Sequence, residues 1–362
     1  MKSIPSSTLV LLLASGSALA LDFNFTEGAG ITALRAGDPG QQQLANDVVA
    51  GFTTAAGLWS SQLTNNFTFR LSIDYKALGP GVLGQAGSDT VGVSYANTRN
   101  ALISRATSSN DLTSVASLPS SSISFVTNDR AGNRITDNDG SANNSILDIT
   151  RANAKALGFL ASGDLMEDTS ITFSSNFSFD FNRADGIAPG SFDFIGVATH
   201  EIGHGLGFVS GVDVVDSFSG PNGGNKDSDL NGTGPGIGTL DPFRVFSVLD
   251  LFRYGAAGTR DLAYGGTPYF SIDGGTTNDG LFSTGAANGD GAQASHWKDN
   301  LNLGLMDPTT APGERIDIQE RDLNAMDVIG YNVVPEPGSL TLIGTMFGLA
   351  GFGWVRRSMG KK

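Results

Sequence analysis

The stretch His200-Glu201-Ile202-Gly203-His204-Gly205-Leu206-Gly207-Phe208 decides how this chain is read. On an α-helix, residues four apart stand on one face, so the His200 and His204 imidazoles can hold one metal ion between them. Glu201 is one step round the same helix, where its carboxylate can reach a water polarised by that metal and take its proton. The flanks support a helix. Pro189-Gly190 breaks the chain, Ser191 is a good N-cap, and Asp193 puts negative charge in the first turn. Ile195, Ala198, Ile202 and Leu206 recur at helical spacing, and Gly207 stands where glycine favours termination. The chain has three histidines in 362 residues. Two of them in this pattern favour a metal site over a core helix with incidental histidines.

HExxH on a helix is the signature of zinc metallopeptidases. Two histidines leave zinc under-coordinated, because a catalytic site takes three protein ligands and keeps one position open. Between His204 and the tail the glutamates are Glu314 and Glu320, both far from the motif. Three residues after Gly207 stands Ser210, a poor zinc ligand. Asp213 lies nearby, and its carboxylate can serve. The other candidate is His296, in Ser295-His296-Trp297, with Met306 ten residues later in Leu305-Met306-Asp307-Pro308.

On these residues the chain resembles the metzincin-like zinc peptidases of leishmanolysin type. There, HExxHxxGF is followed by a long insertion, a Ser-His-Trp with the third zinc histidine, and a methionine turn beneath the metal. The likeness runs through His200, Glu201, His204, Gly207, Phe208, His296, Trp297 and Met306. It spans residues 45–330 in layout, with identity confined to these motifs. It implies an α+β fold with a mixed, twisted sheet, an active-site helix below a cleft, and a C-terminal subdomain carrying His296, Met306 and the last helix. It also implies Zn2+ on His200, His204 and His296, Glu201 as general base, and Met306 packed under the site without binding the metal. The substrate class it implies is a protein or peptide. The chain departs from leishmanolysin itself in having no cysteine. With its tail, it is more similar to a bacterial family of exported metalloproteases.

Both ends read as targeting segments. Lys2, the apolar run Thr8–Ala14 and Ala18-Leu19-Ala20 make a secretory signal over residues 1–20. Residues 21–334 then form the peptidase domain, since no composition break divides them. Residues 335–362 open with Pro335-Glu336-Pro337, continue as an apolar stretch from Leu340 to Val355, and end on Arg356-Arg357 and Lys361-Lys362. Such a span is short for a bilayer, and its basic end would stay cytoplasmic. The three features together resemble the PEP-CTERM sorting signal of Gram-negative bacteria, which implies an exosortase-type processing partner and a cell-surface, matrix or secreted destination. A plain transmembrane anchor is the alternative.

Without residues 1–20 and 338–362, the chain keeps all 36 acids and 17 of its 22 bases. That excess argues against nucleic-acid binding. The absence of cysteine means that no disulfide staples the fold, and calcium is a plausible substitute. Asp227-Ser228-Asp229-Leu230-Asn231-Gly232 opens like a calcium loop, with oxygen donors at alternate positions. Gly238 stands at its twelfth position and no helices flank it, so it is not an EF-hand. Asp227, Asp229 and Asn231 are kept as a Ca2+ expectation, with Asp137, Asp139, Asn143 and Asn144 as a weaker cluster.

The periodicity predicts a helix over Leu44–Leu63, through Val48, Phe52, Ala55 and Trp59, and strands over Phe67–Tyr75, Ser122–Val126 and Ile171–Phe181. A last helix is expected over Ile318–Ile329, capped by Asp317 and followed by Gly330. Tyr264 and Tyr269 are candidates for stabilising an oxyanion. The competing class is a catalytically silent surface or matrix protein that keeps the zinc-peptidase fold. Glu201 speaks against it, because a structural zinc site does not need that carboxylate. The sequence carries no sign of oligomeric state.

Overall fold

A computed structural model describes residues 21–129, 131–220, 222 and 244–334. Both targeting segments and the calcium-loop residues Asp227, Asp229 and Asn231 lie outside the described residues. The architecture is mixed α+β with several sheets.

The alternation from Phe67 onward produces the strand Thr68–Lys76, which buries Phe69, Leu71 and Ile73 on one face. It lies between two parallel neighbours, Asp22–Glu27 and Thr169–Ser174. Gly84–Ser88 runs antiparallel to Thr169–Ser174 at the edge of this four-stranded sheet. A parallel pair needs a crossover connection. The helix Pro39–Gln62 provides it between the first two strands. This helix starts five residues before the apolar pattern does, because Asp38 and Gln41 form a capping box around Pro39 at its first position. Val48, Phe52, Ala55 and Trp59 are its fully buried face.

That face receives the helix Phe194–Leu206, which carries the HExxH motif. The Trp59 indole N–H donates to Thr199 O at 2.8 Å. The Phe52 ring meets Phe194 edge-on at 5.5 Å. Glycines let the motif helix come close on two other sides. A Cβ at Gly205 would stand 2.7 Å from the Phe69 ring, and one at Gly203 would stand 2.6 Å from Met306 Sδ. Gly207, at φ 122°, ends the helix as expected. The N-cap is Asp193 and not Ser191. Its carboxylate accepts from Gly196 N at 3.0 Å and is held by Arg183 Nε at 2.9 Å.

The long alternating strand Ile171–Phe181 is corrected. The ladder ends at Ser174, and a turn leads to the short strand Phe179–Asp180, which pairs with Phe192–Asp193. Phe179 and Phe181 are there to surround Phe194, with ring centroids 5.5 and 4.5 Å away. Their period-two spacing reflects an aromatic cluster and not one continuous ladder. The expected Ser122–Val126 strand is Phe125–Asn128, inside a six-stranded sheet built mostly from residues 253–281. The last helix is Glu320–Val328, with Gln319 and not Asp317 at its N-cap. Asp317 is drawn instead to Arg183 and Arg315, at 2.8 and 2.7 Å.

A buried ion pair ties the helix Arg151–Leu157 to the main sheet. Lys155 Nζ lies 2.6 Å from Asp168 Oδ2, both side chains are fully buried, and Lys155 also donates to Thr68 O. Among the described residues no helix is long and apolar enough to cross a membrane. Removing one partner of a buried pair strands the other charge. Lys155→Met is therefore expected to lower stability by roughly 3–5 kcal/mol, read from urea unfolding. A loss below about 1 kcal/mol would mean that the pair behaves as a solvated one.

Candidate metal centre

The third histidine comes from the segment that follows Gly280–Leu281, the last strand of the six-stranded sheet. Phe282 bridges to Trp297, Ser283 N donates to His296 O at 3.0 Å, and Trp297 N donates to Met306 O at 2.9 Å. His296 is thereby set against the motif helix. The three Nε2 atoms form a near-equilateral triangle: His200 to His204 3.0 Å, His204 to His296 3.1 Å, and His200 to His296 3.2 Å. The corners of such a triangle lie about 1.8 Å from its centre. One ion at the usual zinc–nitrogen distance of roughly 2.0–2.1 Å therefore reaches all three from just outside their plane.

The opposite ring atoms define the tautomers. His200 Nδ1 lies 2.9 Å from Leu305 O, His204 Nδ1 2.7 Å from Phe208 O, and His296 Nδ1 3.2 Å from Gln293 O. A carbonyl only accepts, so each Nδ1 carries the proton. Each Nε2 then presents a lone pair to the other two. Three lone pairs at this separation repel one another unless a cation lies between them. The donor set fits zinc, and the carbonyls orient each ring in the way that metal-bound histidines require. Burial keeps the rings neutral, depressing His200 to about 4 and His204 to about 3, with His296 well below the ordinary value. Among the described residues, this is the group of three or more histidines and acids close enough to share an ion.

Glu201 is 6 % exposed, and burial raises its pKa to about 8. It faces the edge strand, where a Cβ at Gly84 would stand 3.0 Å from Glu201 Oε1. The three histidines, Glu201 and the edge residues Leu83, Gly84 and Ala86 line one cleft of ≈ 890 Å³.

Met306 is fully buried beneath Gly203, as expected of a residue under the site and not in it. Asp213, the alternative third ligand, is not part of the triad. Its carboxylate accepts from Ala294 N at 2.6 Å, Ser295 N at 3.1 Å and the Ser295 hydroxyl. Ser210 likewise serves the loop of His296, since its N–H donates to Ser295 Oγ at 2.8 Å. Tyr264 and Tyr269 do not line the cleft; the Tyr269 hydroxyl donates to Gly275 O. In the weaker acidic cluster, the Asn143 amide donates to Asp137 and the Asn144 amide to Ile123 O. Their oxygens accept in turn from the Ser141 hydroxyl and from Gly140 N.

Asp322 was not singled out from sequence. Fully buried, it accepts from Trp297 Nε1 at 2.8 Å, Leu305 N at 2.7 Å, Met306 N at 3.3 Å and Gln319 N at 2.8 Å. One carboxylate thus joins the tryptophan after His296, the methionine turn and the last helix. Its only sequence signal was an acid in that helix's first turn.

A model of the PEP-CTERM protein-sorting motif matches residues 333–357. The protein is therefore exported in Gram-negative bacteria, processed by exosortase and sorted to the cell surface. No curated protein and no solved structure matches the chain.

Two outcomes follow from this geometry. Asp213→Ala is expected to weaken zinc affinity about 10–100-fold, the usual effect of removing a group that orients a ligand. Chelator competition measures this, and an unchanged affinity would remove Asp213 from the support of His296. In metal-free protein, the unfolded histidines take up protons as pH falls below 6.5, while His200 resists until about 4 and His204 until about 3. Their titration therefore costs the fold nothing above that window and destabilises it as pH drops through it. The urea midpoint should fall more steeply from pH 7 to 4.5 in the parent than in His204→Gln. Equal slopes would show that the histidines do not carry the effect.

Proposed function

We propose that this chain is an exported zinc-dependent endopeptidase. The observation that carries this reading is the placement of Glu201, a buried carboxylate of raised proton affinity, beside three inward-facing imidazole lone pairs in one cleft. A purely structural metal site has no need of such a carboxylate. The resemblance to leishmanolysin-type peptidases supports the same reading.

His200, His204 and His296 would hold the ion through Nε2. Zinc bound there would supply a Lewis acid that acidifies water and polarises a carbonyl. Glu201 accepts a proton from the attacking water and delivers it to the leaving amine. Burial raises the proton affinity of its carboxylate, which strengthens it as the base. Among the described residues, Gly84–Ser88 is paired on one side only. An extended peptide can add to such an edge as a further strand, which places its backbone across the cleft. The Nδ1 bonds hold the imidazoles in position, and Asp213 and Asp322 hold the segments that bring His296 and Met306.

The test uses purified protein with its zinc measured by elemental mass spectrometry. Glu201→Ala should keep zinc and lose casein hydrolysis by about 10²–10⁴-fold. His296→Ala should lose the zinc itself. Casein cleavage by Glu201→Ala at the parental rate would refute the mechanism. A zinc-loaded parent that cleaves nothing would favour the catalytically silent surface protein.

A further inference from the structure

Asp307 follows the methionine turn and lines the same cleft as the three histidines. Its Oδ1 is shielded from solvent and has no hydrogen-bond partner among the described residues. The charges that act on it from Asp322, Asp299 and Glu314 are all negative. Nearby cations are committed elsewhere: Arg315 to Asp317, Arg183 to Asp193 and Asp317, and Lys298 to Asp290. The described cleft wall contains three acids, Asp148, Glu201 and Asp307, and neither lysine nor arginine. The carboxylate is also rigidly mounted. Asp322 binds the N–H groups of Leu305 and Met306, Trp297 N binds Met306 O, and Pro308 restricts the backbone that follows. Apart from the backbone N–H of Leu303, no donor meets this carboxylate, and one fixed on a cleft wall whose described lining has no lysine or arginine selects a positively charged donor.

We propose that Asp307 is a specificity residue that receives a Lys or Arg side chain of the polypeptide substrate, an inference that rests on the peptidase reading above. A guanidinium or an ammonium can donate to the carboxylate from the cleft side. The ionised pair forms at the cleft wall, where the carboxylate gains a cationic partner that the lining does not provide. A neutral side chain of the same shape brings no charge to it, and this difference produces discrimination.

The experiment uses N-acetylated peptides, so that no terminal ammonium contributes, with arginine or citrulline at each position in turn. The zinc-loaded parent should prefer arginine at one position by about tenfold or more in kcat/KM, the scale of a hydrogen bond to a charged group. Asp307→Asn should bring that ratio close to one, Asp307→Glu should restore part of it, and zinc content should stay at the parental level in both. Fluorescence anisotropy on zinc-loaded Glu201→Ala reads binding without turnover and should show the same arginine preference, lost in the Glu201→Ala/Asp307→Asn double variant. Equal handling of arginine and citrulline by the parent, or a preference that survives Asp307→Asn, overturns the proposal. If no peptide is cleaved but the binding preference appears and depends on Asp307, the peptidase reading fails and the assignment of Asp307 stands.

Discussion

Three imidazole lone pairs meeting within 3.2 Å form the constraint on which the rest of this structure depends. Neutral nitrogens repel at that distance, so the surrounding protein must hold each ring against its neighbours. It does so with backbone carbonyls, one for each Nδ1. Each carbonyl belongs to a different piece of chain: the end of the motif helix, the loop before His296, and the residue before Met306. Those pieces need their own supports, and buried carboxylates supply them. Asp213 binds the segment before His296, Asp322 binds the turn at Met306, and Asp193 caps the motif helix. Three acids of this negatively charged chain thus serve to position backbone around the triad.

Small residues make the same assembly possible by allowing close approach. Between and after the two helix histidines, Gly203 and Gly205 give room to Met306 on one side and to Phe69 with Thr169 on the other. A larger side chain at either position would push the helix away from the methionine turn or from the sheet. The first effect would move Leu305 O away from His200, and the second would shift Glu201 relative to the edge strand. Substituents at 203 and 205 therefore act on the site's geometry without touching the ion or a substrate.

The motif helix was legible because its periodicity, its terminating glycine and its histidine spacing all agree at short range. His296 and Met306 were legible only through their resemblance to a known arrangement, since nothing local links residue 296 to residue 204. Helix starts were misread where tertiary contacts compete for caps. Ser191 looks suitable, but Asp193 is gripped by Arg183 and becomes the N-cap, while Asp317 is taken from the last helix by two arginines. The phenylalanine alternation after Ile171 misled for a related reason. A period of two places side chains on one face whether they continue a ladder or collect around a single ring, here Phe194. The short edge strand Gly84–Ser88 has almost no hydrophobic pattern to detect, and the backbone carbonyls that set the imidazole tautomers leave no mark in a sequence at all.

The distance along the chain between His204 and His296 has a thermodynamic meaning of its own. An ion shared by these residues closes a loop of about a hundred residues, and a cross-link over that length removes entropy from the unfolded chain worth about 4.7 kcal/mol when a disulfide makes it. This protein has no cysteine with which to make one. With an ion bound, the triad would serve as its staple, one indifferent to reductants and oxidants but opened by acid or a chelator. On a cell surface, where redox conditions vary, the persistence of such a metal-stapled fold would follow the supply of metal and not the state of any thiol.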